Sequence, residues 1–195
     1  MYCELTLSEK NDDLQILKRF NNGDISAFEE LVLKYQDRIY NLCRNMLGNT
    51  HDVEDAAQDT FIKAHQKLKD FKPEASLYTW LYRIAVNTCL DYKKKPFFES
   101  FFKKSEGEEF VDEPSSDWPS PDKIYESKQV GIALHNSIKK LPVKLRTAII
   151  LKETEGLSYE QIAEVLDVPI GTVKSRISRA RDELMRSLKK FREQK

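Results

Sequence analysis

Cysteine, histidine, glycine, proline and long apolar runs are all scarce in this chain, and each scarcity closes off a class of protein. Three cysteines stand far apart at Cys3, Cys43 and Cys89, with no CxxC. That odd, scattered set gives neither a disulfide framework nor a structural zinc site, and reads as thiols in a reducing compartment. The three histidines, His51, His65 and His135, have no ligand spacing, so no metal or other cofactor is expected. No apolar stretch approaches the roughly 20 residues of a membrane helix. The opening "MYCELTLSEKNDDLQ" lacks the basic-then-apolar order of a signal peptide. A cytoplasmic protein without direct membrane insertion is expected. Only 6 glycines and 7 prolines interrupt 195 residues, and no strand-period alternation occurs, so long helices should carry the fold.

Net charge is also missing: 32 basic residues balance 32 acidic ones. The balance hides a partition. Residues 1–95 carry a net −1, residues 96–127 a net −6 and residues 128–195 a net +7. Two modules joined by an acidic linker fit this pattern, and the basic rear block suggests a polyanionic partner. The fold class is therefore all-α, with two small helical domains at about 10–95 and 124–192 and a flexible linker at 96–123. The linker has Pro114, Pro119 and Pro121 and several serines, but also Phe97, Phe98, Phe101, Phe102, Phe110 and Trp118. That is more aromatic surface than a pure spacer needs, and part of it is expected to dock.

In the front block, Gly23 should end a first helix and Ser26 cap the second. Gly48 should close the second helix and Thr50 cap a third, whose Asp52, Glu54 and Asp55 suit the positive end of the macrodipole. Pro73 breaks the chain, and Ser76 can cap a fourth helix. The inward stripe of that helix reads Leu77, Trp80, Leu81, Ile84, Ala85 and Thr88. Tyr78, Tyr82, Arg83, Val86, Asn87 and Asp91 read as outward. Exposed rings beside cations form a stacking platform for unpaired bases; tyrosines packed at a boundary explain the residues equally well, and both readings stay open on composition.

In the rear block, Pro142 and Gly156 bracket one helix. Ser158 and Gln161 then form a capping box that opens a short helix at 159–166. A tight turn at Asp167-Val168 and Pro169 leads into "IGTVKSRISRARDEL". There Ile170, Val173, Ile177, Ala180 and Leu184 make a core stripe. Thr172, Ser175, Ser178 and Arg179 face the other way, with Lys174, Arg176 and Arg181 on the flanks. Two short helices, a tight turn, and small polar and arginine side chains outward on the second describe a helix-turn-helix. Ser and Thr let such a helix sink into the major groove, Arg179 can fork onto guanine, and the flanking cations can meet phosphates.

The stretches "DVEDAAQDTFIKAHQKLKDF", "SLYTWLYRIAVNTCLDYKKK" and "LSYEQIAEVLDVPIGTVKSRISRARDEL" resemble the extracytoplasmic-function group of bacterial sigma factors, in order and spacing, over nearly the whole chain outside the linker. The resemblance implies sigma domain 2 in front and sigma domain 4 behind. It implies binding to core RNA polymerase, at the clamp helices of the largest subunit, through Asp52, Asp55, Gln58, Asp59 and Ile62. It implies melting and capture of the promoter −10 element by Lys72, Glu74, Ala75, Ser76, Tyr78, Arg83 and Asn87. Trp80 matches too, although it lies on the apolar stripe. The −35 element would be read by Thr172, Lys174, Ser175, Arg176, Ser178 and Arg179. Promoter DNA and an anti-sigma factor are the further partners it implies, and no catalytic residue is among its matches.

Two other readings compete. A helix-turn-helix regulator would bind intact duplex without being a polymerase subunit. A metal-dependent nuclease would use Asp52, Glu54, Asp55 and Asp59, but such a site needs carboxylates converging from several elements, and these share one helix.

Overall fold

A computed structural model describes residues 7–48, 50–72, 76–94 and 121–193, without the side chains of residues 7–10, 50, 121–130 and 192. The readings made for Pro73, Glu74, Ala75 and residues 96–120 of the linker lie outside the described residues; Thr50 is the first residue of its helix, and the rear helices begin at Pro121, inside the linker read at 96–123.

Four helices form a front bundle: α1 (Leu7–Asn21), α2 (Ser26–Leu47), α3 (Thr50–Lys67) and α4 (Leu77–Lys94). The α2 stripe Ala27, Leu31, Tyr35, Ile39, Leu42, Cys43 and Met46 is buried at helical spacing. Gly48 then ends the helix at φ 68, its N–H donating back to the Arg44 carbonyl. Only glycine adopts that φ cheaply. The start of α2 differs from the sequence expectation. Ser26 is its first residue, not its cap, and the Ser26 N–H and Oγ both donate to Asp24 Oδ1, at 3.0 and 2.6 Å. Asp24 takes the role because its carboxylate also receives Arg19 Nε at 2.9 Å. Helix α1 is pinned from the same side: buried Asp13 accepts from Lys34 Nζ at 2.7 Å and from the Tyr35 hydroxyl at 2.8 Å. A buried carboxylate without these donors would be costly.

The rear bundle holds α5 (Pro121–Lys140), α6 (Val143–Ile149), α7 (Tyr159–Leu166) and α8 (Ile170–Glu193). Helix α6 runs on into one π-helical turn, Ile150–Thr154, closed by Gly156 at φ 70. The wider turn shows in the bond from Glu155 N–H to the Ile150 carbonyl at 3.2 Å. The capping box forms with both reciprocal bonds, Ser158 N–H to Gln161 Oε1 at 2.8 Å and Gln161 N–H to Ser158 Oγ at 3.2 Å. In α8, Val173, Ile177 and Ala180 are buried and Leu184 half-buried, as the spacing requires. Ile170, at the helix start, is 39% exposed instead.

The two bundles touch. Helix α4 packs against α7, and α2 meets the π turn. Consequently α4 is covered on two sides. Lys93, near its end, is half-buried and close to Arg146 of α6. Burial and that like charge push its ammonium down to about 8. Between that value and the ordinary lysine range the unfolded chain binds more protons, so this contribution to stability rises with pH from about 8 upward and is flat below. Lys93→Met is expected to gain about 1–3 kcal/mol at pH 7. In thermal melts, the gap from wild type should narrow steadily between pH 8 and pH 10; a constant gap would refute the assignment.

Candidate nucleic-acid interface

The outward face of α8 carries Lys174, Ser175, Ser178 and Arg179 in the open, with Thr172 and Arg176 half-buried at its edges. The core stripe on the opposite side fixes its rotation. Ser175 Oγ donates to the Thr172 carbonyl at 2.9 Å, which keeps that side chain close to the helix. Lys174 Nζ lies 5.9 Å from the Tyr159 ring centroid, over the first turn of α7. Arg179 makes no hydrogen bond or ion pair among the described residues and extends into solvent. Arg181 does something else. Its guanidinium bonds Glu153 Oε1 at 2.6 Å, tying α8 to the π turn. Of the four cations in the first half of α8, Arg181 thus serves architecture, and Lys174, Arg176 and Arg179 remain for a polyanion. Ser175, Ser178 and Arg179 at the centre, with Lys174 and Arg176 at the edges, match a helix lying in the major groove.

Asp52, Asp55, Gln58 and Ile62 form an exposed strip on α3, with Asp59 half-buried beside them. Asp59 Oδ2 accepts from the Tyr92 hydroxyl at 2.9 Å. Burial, that bond and the negative charge of Asp55 and Asp52 push the Tyr92 phenol up to about 12. An exposed isoleucine among carboxylates, 54% open, is an apolar contact point inside an acidic field. Among the described residues no three or more metal-ligating side chains come together, and these carboxylates stay in one row along one helix.

The α4 face requires a correction. Tyr78 and Tyr82 were expected outward as a stacking platform, and Val86 with them. All three are buried, Tyr78 to 2% exposure and Tyr82 to 1%. Tyr78 packs 4.4 Å from the Tyr82 ring and 6.3 Å from Tyr35, with the Arg38 guanidinium over it at 5.9 Å. The physical reason is that α4 has two packed sides, α2 with α3 and the rear bundle, so its second apolar side reads falsely as surface. Arg83 and Asn87 are exposed, one turn apart. Lys72 is exposed and Ser76 half-buried, its Oγ accepting from Thr79 N–H at 3.5 Å at the start of α4. Trp80, half-buried, meets Phe71 edge-on at 5.1 Å and belongs to the packing.

Sequence reasoning missed Glu155. The π turn aims it at α4, where Oε2 accepts from the Tyr82 hydroxyl at 3.0 Å and Oε1 from Asn45 Nδ2 at 3.4 Å. Burial pushes its carboxyl above the usual range, against the lowering effect of those two donors and of Arg38. Arg83 in turn donates to the backbone carbonyl of Glu164, in the last turn of α7. The only sequence signal was an acid at a helix end before Gly156, which says nothing about a partner 73 residues away.

Residues 31–96 match the family described as Sigma-70 region 2, and residues 132–184 match Sigma-70, region 4. The RNA polymerase sigma-H factor of Pseudomonas aeruginosa is 39% identical over 185 residues, 92% of this chain and 95% of that one. The ECF RNA polymerase sigma factor SigW of Bacillus subtilis is 39% identical over 177 residues, 89% and 95%. Among solved structures, the sigma factor RpoE in complex with the anti-sigma factor NepR from Bartonella quintana aligns with a TM-score of 0.64 at 25% identity, covering 85% of this chain and 98% of that one. CnrH in complex with the cytosolic domain of CnrY shares the fold, with a TM-score of 0.66 over 91% and 97%. A capped helix-turn-helix behind, an acidic strip and a partly covered α4 in front, and relatives matched almost end to end converge: the chain belongs to the extracytoplasmic-function group of sigma-70-family sigma factors, which direct RNA polymerase to promoters.

Proposed function

We propose that each module does one part of promoter-specific initiation. On this reading residues 10–95 act as sigma domain 2, residues 96–123 as the linker and residues 124–192 as sigma domain 4. The α3 strip of Asp52, Asp55, Gln58, Asp59 and Ile62 binds the clamp helices of the polymerase largest subunit. Helix α8 reads the duplex −35 element, with Ser175, Ser178 and Arg179 toward bases and Lys174 and Arg176 toward phosphates. Thr172 flanks them. The −10 element is melted and held by the segment Lys72, Glu74, Ala75 and Ser76 together with Arg83 and Asn87. Tyr78 supports that face from beneath. The polymerase carries the chemistry, so the chain itself is not an enzyme and works in the cytoplasm. An anti-sigma factor is its expected restraint, by likeness to the sigma factor RpoE bound to NepR.

The observation that carries this reading is the open set Lys174, Ser175, Ser178 and Arg179 on a helix rotated by its own buried stripe. A nucleic-acid reader that holds bases out of the stack must offset a few kcal/mol of unstacking per step, and Asn87, with a donor and an acceptor on one amide, suits a base edge. Asn87→Ala is expected to cut open-complex formation about 5- to 30-fold, consistent with roughly 1–2 kcal/mol per lost contact, while closed-complex capture stays within twofold. Permanganate reactivity of unpaired thymines and band-shift of the closed complex separate the two. Equal loss of both would contradict the division of labour.

A further inference from the structure

We propose that the chain carries its own clasp: Glu155 of the rear bundle, gripped by Tyr82 and Asn45 and flanked by the Arg83 bond to α7, holds the rear bundle over α4 and keeps the free protein shut. This rests on the function proposed above.

Three contacts commit front-bundle groups to the rear bundle. The Tyr82 hydroxyl and Asn45 amide take the two carboxylate oxygens of Glu155. Arg83 takes the Glu164 carbonyl, at the end of α7 where the helix dipole attracts a cation. Arg83 is also one of the two exposed polar groups of α4 assigned above to the −10 strand, so in this arrangement it is occupied. The shut form is also too short for a promoter. Centres at −10 and −35 lie about 25 base pairs apart, ~85 Å of duplex at roughly 3.4 Å per step. Helices α4 and α7 are in direct contact, and α8 begins four residues after Leu166, where α7 ends. Both readers cannot sit on their elements until the bundles part. The 26 residues between Lys94 and Pro121 reach ~90 Å at most when extended, enough to allow it.

The junction is built to open. Glu155 faces two neutral donors, with Arg38 the one cation acting on it among the described residues. A carboxylate so placed gives back part of the hydrogen-bond gain as lost hydration. Lys93 and Arg146 add like-charge repulsion along the same contact. Such a contact can be specific and still be weak, as a reversible restraint must be.

The test uses the full-length chain with Cys3→Ser and nitroxide labels at Gln36→Cys and Arg186→Cys, both exposed and one in each bundle. Pulsed electron–electron resonance should give one narrow, short distance for the otherwise native protein. Glu155→Ala, and separately Tyr82→Phe, should move most molecules to a broad, longer distribution, raising the open-to-shut ratio at least tenfold. Melting curves check that each variant stays folded, and Tyr82→Phe, which loses one oxygen, keeps the comparison if Glu155→Ala does not fold. With limiting core polymerase, the opened variants should give at least twofold more promoter-directed transcript. A broad distribution already in the native protein, or a narrow one that persists in both variants, overturns the clasp. Opening without any rise in transcript overturns its restraining role. Absence of promoter-directed transcript from the native protein at saturating core polymerase would instead sink the functional reading, and the distances would still decide the clasp.

Discussion

A holoenzyme carrying Arg179→Ala is expected to initiate about 10- to 100-fold fewer transcripts from its own promoters than the native holoenzyme, and to lose preference at one −35 position. Arg179 is the exposed cation at the centre of the α8 face, opposite Val173, Ile177 and Ala180. A bidentate arginine on guanine is worth about 1–3 kcal/mol of discrimination. Nothing inside the described fold leans on it, so melting should be unchanged. Arg181→Ala is the informative contrast. Its partner is Glu153 at 2.6 Å within the bundle, so its removal should loosen α8 slightly and shift all promoters together. The measurement is run-off transcription on promoters with each −35 position varied. Uniform loss across all variants with Arg179→Ala would show a phosphate contact in place of base reading.

The second large effect is expected on α3. Asp55→Lys combined with Ile62→Glu should weaken binding to core polymerase at least 100-fold, measured by fluorescence anisotropy of the labelled chain. Both residues are exposed, so the folded stability of the double variant should stay within about 1 kcal/mol of native. The magnitude follows from reversing the charge next to an apolar anchor: central hot spots cost about 2 kcal/mol or more each, and a like-charge approach adds to that. Binding within fivefold of native would remove the α3 strip from the interface. Asp59 is a poorer choice for this test, because the Tyr92 hydroxyl holds it and its loss would disturb α4 as well.

Local signals were read well where one partner fixes one face. The Ser158–Gln161 box and the Val173–Ile177–Ala180 stripe both depend on residues three or four apart, and the sequence spacing already contains them. The α3 strip came from the family resemblance and not from spacing; the structure leaves Asp52, Asp55, Gln58 and Ile62 exposed, with Asp59 half-buried. At the start of α2, two good capping residues lie two positions apart, and the choice of Asp24 over Ser26 depends on Arg19, in a different helix. Helix α4 defeated the amphipathic reading because its second side is covered as well. Tyrosines at i and i+4 fit a solvent-facing platform and a packed boundary equally, and only the position of the rear bundle decides. Glu155 had no local signature at all, since Asn45 and Tyr82 come to it from 110 and 73 residues away. The π turn that aims it was likewise invisible, because "AIILKETEG" reads as ordinary helix up to Gly156.

The central claim is that this chain tells RNA polymerase where to start, through two separate readers. Sequencing the 5′ ends of transcripts made by core polymerase reconstituted with the native protein on fragmented genomic DNA tests it most directly. The expected result is a limited set of start sites, absent without the protein, that share two short elements about 25 base pairs apart, with the upstream element lost from the set when Arg179→Ala is used. Start sites identical to those of core polymerase alone, or new sites sharing no paired elements, would contradict the account.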